Sequence, residues 1–142
     1  MSDKVKKKID KITAVEDFDR FCEDWEIDNE TSNMNEEEKT DFEGQKAKIV
    51  NAIRRGRMSF VDDTFKYVVS NKSEKNAGDE VIINRPRGSG LMEMDRYKER
   101  EGVHKTYAVL AAMTKKESKF FANLDGIDVK PFLAVVTLFL AG

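Results

Sequence analysis

Cysteine, histidine and tryptophan each occur once in this chain of 142 residues, and proline occurs twice. A single cysteine, Cys22, excludes a disulfide within the chain, and such scarcity is typical of proteins from reducing compartments. A single histidine, His104, cannot form a metal site by itself, and Cys22 lies far from it in the sequence. We therefore interpret both residues as structural.

Recognisable catalytic motifs are also lacking. The sequence contains no Ser-His-Asp context, nucleophile elbow or glycine-rich phosphate loop, and Arg87–Gly90 fits a turn followed by a serine cap. Carboxylates alternate over Asp24–Asp28, as at the start of a calcium loop, but Asn29 and Asn35 occupy the positions that need a glycine and a bidentate glutamate. The sequence thus predicts a protein that is not an enzyme and has no catalytic, cofactor or metal residues.

Long apolar segments are lacking as well. The basic N-terminus is not followed by the apolar stretch of a secretory signal. The apolar run near the C-terminus has about half of the ~20 residues that a membrane-spanning helix requires. These features predict a soluble, cytoplasmic protein without a membrane partner.

Charge is abundant but unevenly distributed. Charged residues form 37% of the chain, yet the net charge is only −2. From Thr13 to Glu43 there are 13 acidic and two basic residues, a local balance of −11, whereas both flanking segments are basic. A phosphate backbone requires contiguous positive charge, so this pattern argues against nucleic acid as a partner.

Apolar periodicity predicts two helices before residue 57. The first covers about Ala14–Ile27, where apolar residues recur at steps of three and four. The second begins after Asn35, with Glu38 three residues later as in a capping box, and stops at Gly56. These helices form a charged N-terminal arm, residues 1–56.

Three short strands follow, over Met58–Val61, Phe65–Val69 and Val81–Ile83, with a turn at Asp62–Thr64. They predict a small antiparallel three-stranded sheet that needs a helix to cover one face. The fold class is therefore α+β, with N-terminal helices, this sheet and a C-terminal helical block. Residues 57–142 form the second unit, although one compact domain is an equally open arrangement.

The C-terminal block contains several short helices. Leu91 starts one, and Val103–Met113 forms the next. Thr114–Glu117 reads as a capping box that opens a helix with two phenylalanines. Asp128 is expected to cap the last helix, with Pro131 in its first turn, where the amide needs no intrahelical partner.

The last helix is apolar on two neighbouring stripes, which suits either a core position or a partner. Methionines nearby add adaptable surface. The candidate partner-binding residues are Met92, Met94, Phe132, Val135, Val136, Phe139 and Leu140.

The order of these elements resembles the tail assembly chaperones of Mu-like and P2-like contractile-tailed bacteriophages. That family has a strand ending in Arg-Pro, a Leu-x-x-x-Asp helix, an Ala-rich helix ending near Thr, a Leu-x-x-x-Asp step and an apolar last helix. The corresponding segments are Val81–Pro86, Leu91–Asp95, Val109–Thr114, Leu124–Val129 and Val135–Leu140. Residues 1–55 depart from the shortest family members.

The resemblance implies a chaperone that binds the tape-measure protein until tube subunits polymerise around it, and that is not retained in the virion. Further implied partners are the tail tube protein and a longer, frameshifted form of the chain itself. Leu138–Leu140 can be encoded by a run of T ending in G, which such a shift uses. The acidic arm could hold basic client segments, a hypothesis that deletion of residues 1–33 would test.

Two other functions stay open. The helices on either side of Thr114 could form a helix-turn-helix that directs Lys115, Lys116 and Lys119 at phosphates, as in a small DNA-binding regulator. Against this, the sequence places no set of Asn, Gln or Arg to read base edges. A structural tail or baseplate subunit is the other alternative.

Overall fold

A computed structural model describes residues 9–92 and 102–141 of the chain. Helices precede and follow a small sheet within these ranges, so the predicted α+β class is confirmed. The elements are α1 (Lys11–Asp24), α2 (Glu36–Arg54), β1 (Met58–Val61), β2 (Thr64–Val68), β3 (Glu80–Ile83), α3 (Gly88–Met92), α4 (Gly102–Thr114), α5 (Ser118–Ala122) and α6 (Gly126–Ala141).

Capping interactions set the ends of α1. The side chain of Asp10 accepts a hydrogen bond from the backbone N–H of Thr13 at 2.8 Å, so the helix begins three residues before its predicted start. It ends at Asp24, because Glu26 adopts a φ of 54° that no helix continues. Ile27 therefore lies beyond the helix and not within it.

The predicted capping box of α2 is confirmed. The Glu38 N–H donates to Oδ1 of Asn35 at 2.8 Å, and the Asn35 N–H donates to Oε1 of Glu38 at 3.0 Å. At the other end Gly56 has a φ of 77°, the left-handed conformation that ends many helices and favours glycine. Local sequence chemistry thus fixes both ends of this helix.

The sheet is an antiparallel meander in the order β1-β2-β3, as predicted. Asp62 and Asp63 form the two-residue turn between β1 and β2, with φ of 51° and 61°, which suits a type I′ hairpin. The second strand lies one residue earlier than expected. Val69 follows the end of β2, although its N–H still bonds to the Asp79 carbonyl of the facing segment at 2.9 Å.

One side of the sheet forms the floor of the core. Its buried residues are Met58, Phe60, Phe65, Tyr67, Val81 and Ile83, whereas Val61 and Ile82 on the other side are exposed. Helix α1 places Phe21 against this floor, with ring centroids 4.7 Å from Phe65 and 5.0 Å from Trp25. A single cluster of buried residues includes side chains from α1, α2, the sheet, α4 and α6. Within residues 9–92 and 102–141, elements on both sides of the predicted division at residue 56 contribute to this cluster.

Two predicted caps in the C-terminal block are wrong. Thr114 is the last residue of α4, and its hydroxyl donates to the Leu110 carbonyl at 2.7 Å instead of opening α5, whose cap position is Glu117. Asp128 lies inside α6, which begins at Gly126, so Pro131 falls in the second turn of that helix and not in the first. Tertiary contacts of Asp128, described below, explain its position.

We predict that Phe21→Ala lowers the free energy of unfolding by about 3–5 kcal/mol, because it removes a fully buried ring from the centre of the shared core. Ile12→Ala on the same helix is the control. Ile12 is 76% exposed, so its truncation should change stability by less than about 0.5 kcal/mol. Urea unfolding followed by tryptophan fluorescence measures both, and equal effects would contradict the position of α1 in the core.

Candidate partner-binding surface

Three of the predicted partner-binding residues belong to the core. Phe132 and Val135 have no exposed surface, and Val136 is 1% exposed. The reason is that α6 packs against both α2 and α4, so the protein itself covers these three side chains. This corrects the expectation for these three residues, because a fully covered side chain offers a partner no surface.

Three other predicted residues lie at or near the surface. Met92 at the end of α3 is 70% exposed, and Leu140 is 42% exposed. Phe139 is half-buried and packs edge-to-face on Trp25, with ring centroids 5.9 Å apart. Met94 lies outside the residues that the structure describes.

The accessible side of α6 runs along Leu133, Thr137 and Leu140, and its two leucines belong to one of the two predicted apolar stripes. Spacings of four and three residues place these side chains on one face of the helix. We call them the outer stripe. The sequence marks this side only weakly, because α6 is apolar nearly all round and Lys130 and Thr137 are its only polar residues after Asp128.

A cleft opens beside the end of the outer stripe, between α6, the N-terminal half of α2 and the segment that joins α1 to α2. Its volume is about 250 Å³. Apolar side chains of Ile27, Met34, Phe42, Leu138 and Ala141 line it together with the carboxylates of Asp28, Glu38 and Asp41. We call it the acidic-rimmed cleft. Ala141 follows Thr137 by one helical turn, so the cleft and the outer stripe form one continuous surface.

A buried carboxylate holds α6 in the position that creates this surface. Asp128 is completely buried. Its Oδ1 accepts hydrogen bonds from the Tyr67 hydroxyl at 2.6 Å and the Ser70 N–H at 3.0 Å. Its Oδ2 accepts hydrogen bonds from the hydroxyls of Ser70 at 2.8 Å and Ser73 at 2.5 Å. The first turn of α6 is thereby joined to β2 and to the loop that follows it.

These four donors determine the protonation state of Asp128. Burial alone would raise its pKa, but the hydrogen bonds from Ser73, Tyr67 and Ser70 outweigh burial and hold the pKa below its usual value. Burial and the bond to this carboxylate raise the pKa of the Tyr67 hydroxyl, which stays protonated as a donor. Asp128 therefore carries a charge that neutral donors and the start of α6 stabilise.

Among the described residues, Cys22 and His104 give little support for a nucleophile or a metal site. Burial, together with the nearby charge of Asp19, raises the pKa of the Cys22 thiol to about 12, so this side chain is a core residue and a poor nucleophile. His104 is exposed. Within residues 9–92 and 102–141, no three acidic, His or Cys side chains are grouped closely enough to hold a metal ion.

The possible helix-turn-helix does not have the dimensions of a DNA reader. Its second helix, α5, has five residues, and Phe121 within it is fully buried. The Nζ atom of Lys116 lies over the ring of Phe120 at 5.2 Å, so this lysine packs along the protein surface. A recognition helix instead has to present several side chains to base edges.

Comparison of the chain with protein-family models, with curated proteins and with solved structures gave no match. Among the helices that the structure describes, none combines the length and the apolar character needed to cross a membrane.

Asp128→Asn should lower the free energy of unfolding by about 2–3 kcal/mol at pH 7, because the amide keeps one acceptor oxygen where four donors converge. Glu43→Gln on the exposed side of α2 makes the same change of charge and should have an effect near zero. Urea unfolding at constant salt provides the comparison. A loss of similar size in both variants would show that net charge, and not the buried network, is responsible.

The stability difference between the wild type and Asp128→Asn should depend on pH. Since the folded pKa of Asp128 is lowered, its stabilisation is fully present above the unfolded value of about 3.9 and is lost as the pH falls through the folded pKa. Urea unfolding of both proteins between pH 7 and pH 2.5 should give a constant difference down to about pH 4 and a shrinking one below it. A difference that grows in acid would contradict the network.

Proposed function

We propose that this protein is a phage tail assembly chaperone that binds the tape-measure protein in the cytoplasm of the bacterial host and leaves before the virion is complete. The proposal rests on the ordered resemblance over about residues 79–141, from the Arg-Pro strand end to the apolar last helix. The tail tube protein and a longer, frameshifted form of the chain are further proposed partners. The slippage step concerns the codons of Leu138–Leu140.

The surface chemistry suits this role. A tape-measure protein is a long helical client, and helical clients are bound through apolar side chains that repeat along one face. The outer stripe offers Leu133 and Leu140 to such a face, two helical turns apart. The charged remainder of the surface favours solubility of the complex.

A structural tail or baseplate subunit is separated from a chaperone by the composition of finished particles. The proposed chaperone is present in cell lysates during assembly but missing from purified virions. Mass spectrometry of purified particles therefore decides between the two roles, and stoichiometric amounts of this protein in virions would overturn the chaperone proposal.

Co-expression with a tape-measure protein, whose gene the proposal expects immediately downstream, tests the proposal directly. We expect the tape-measure protein to be insoluble alone, and to become soluble and co-purify when this chain is present. An unrelated acidic protein of similar size serves as the control for non-specific solubilisation. The proposal fails if the tape-measure protein is equally insoluble with both partners, or if no tail genes lie next to this one.

A further inference from the structure

We propose that the acidic-rimmed cleft and the outer stripe together bind a basic amphipathic helix, with one apolar side chain of that helix inserted into the cleft and its lysines or arginines facing the rim. This inference rests on the proposed function in one respect only, since it takes the occupant to be a segment of the helical client. Four features of the surface carry it.

The first feature is size. A volume of about 250 Å³ lies below the range of roughly 300–1,000 Å³ that small-molecule sites occupy. It is enclosed by α6 and α2 with Ile27 and Phe42 in its lining. A space of this kind accommodates a single large side chain from a partner, as the anchor pockets of protein interfaces do.

The second feature is unneutralised charge. Glu38 accepts from the Asn35 N–H, Asp28 from the Glu30 N–H and Asp41 from the Gln45 amide, and all three donors are neutral. Neither of the two ion pairs among the described residues involves these carboxylates. Among the described residues, no lysine or arginine forms an ion pair with these carboxylates, so they are available to a cation from a partner.

The third feature is the wider field. The rim belongs to the segment Thr13–Glu43, whose net charge is −11. Glu36 and Glu37 of the same segment lie at the exposed start of α2, next to Glu38 of the rim. A partner with several positive charges is attracted to this end of the molecule, and a negatively charged one is repelled. The charge selects the sign of the partner, whereas the cleft selects an apolar anchor.

The fourth feature is the helical repeat of the surface. Leu133, Leu140 and the cleft beside Ala141 follow one line along α6 for about two turns. A second helix that lies along this line presents apolar residues at three- and four-residue steps. Its other face is then free for basic residues that reach the rim.

The probe is a fluorescent helical peptide of 20 residues with Leu at an i, i+3, i+4, i+7 repeat and Lys elsewhere, and binding to the full chain is followed by anisotropy in 50 mM salt. Asp28→Asn combined with Asp41→Asn should raise the Kd about tenfold. Glu16→Gln combined with Glu117→Gln removes the same charge at exposed positions away from the cleft and should change the Kd less than twofold. The difference in Kd between these two double variants should be smaller in 0.5 M salt, because salt screens the charges.

A second pair of variants tests the apolar part. Leu140→Ser should raise the Kd about tenfold, whereas Val61→Ser, which alters a 58% exposed residue on the outer side of the sheet, should leave it unchanged. If the Kd rises equally in the two double variants that remove charge, the peptide is attracted by net charge alone. That result would overturn the cleft as the binding site. The proposal would also be overturned if a peptide with Glu in place of Lys bound as tightly as the Lys peptide. A third contrary result would be that this protein is a dimer in solution and that Leu140→Ser converts it to a monomer.

Failure of this inference and failure of the proposed function give different results. If the tape-measure protein co-purifies equally with the wild type and with both the rim variant and Leu140→Ser, the chaperone role stands and the cleft is not its client site. If the basic peptide binds as expected but the tape-measure protein does not co-purify, the cleft is a docking site and the chaperone role is wrong.

Discussion

A carboxylate that is charged and completely buried requires donors for its oxygens, and the position of α6 depends on how Asp128 obtains them. Its partners are Tyr67 in the middle of β2 and two serines in the next loop, 55 to 61 residues away in the sequence. Both serine hydroxyls also accept a backbone N–H, from Lys72 and from Asp125. These bonds orient the hydroxyls in the folded protein, so that both donate to the carboxylate.

Fixing the first turn of α6 determines what the rest of that helix can do. From Asp128 onward Phe132 lies between Tyr67 and Phe121, with ring centroids 4.9 and 5.1 Å away, and at the far end Phe139 meets Trp25. The helix is therefore held at both ends by aromatic contacts to different elements. Its outer stripe is accessible to a partner, and this stripe is presented by a helix that cannot rotate to exchange one face for another.

Features that depend on neighbouring residues could be predicted from the sequence, and features that depend on distant ones could not. The capping box at Asn35 and the hairpin turn at Asp62 and Asp63 agree with prediction, because the interacting groups lie within three residues of each other. Asp128 looked like a helix cap because a cap and a buried acceptor have the same local sequence. The partners that distinguish the two lie in β2 and the loop after it, 61 and 58 residues away in the sequence. The choice between core and surface on α6 could not be predicted for a related reason, since only the positions of α2 and α4 show which side of the helix is covered.

The acidic N-terminal segment also depends on contacts with distant residues, because it contributes buried side chains to the core. Its carboxylates suggested a charged arm, yet Phe18, Phe21 and Cys22 alternate with them and fill the core that the sheet and α6 share. Deleting residues 1–33 would remove these side chains together with the charge, so loss of client binding after that deletion would report unfolding as readily as recognition. Charge and core can be separated only where they occupy different faces of a helix. Substituting exposed acids singly or in pairs leaves the apolar face intact, and for this reason the role of the segment is decided by point variants and not by truncation.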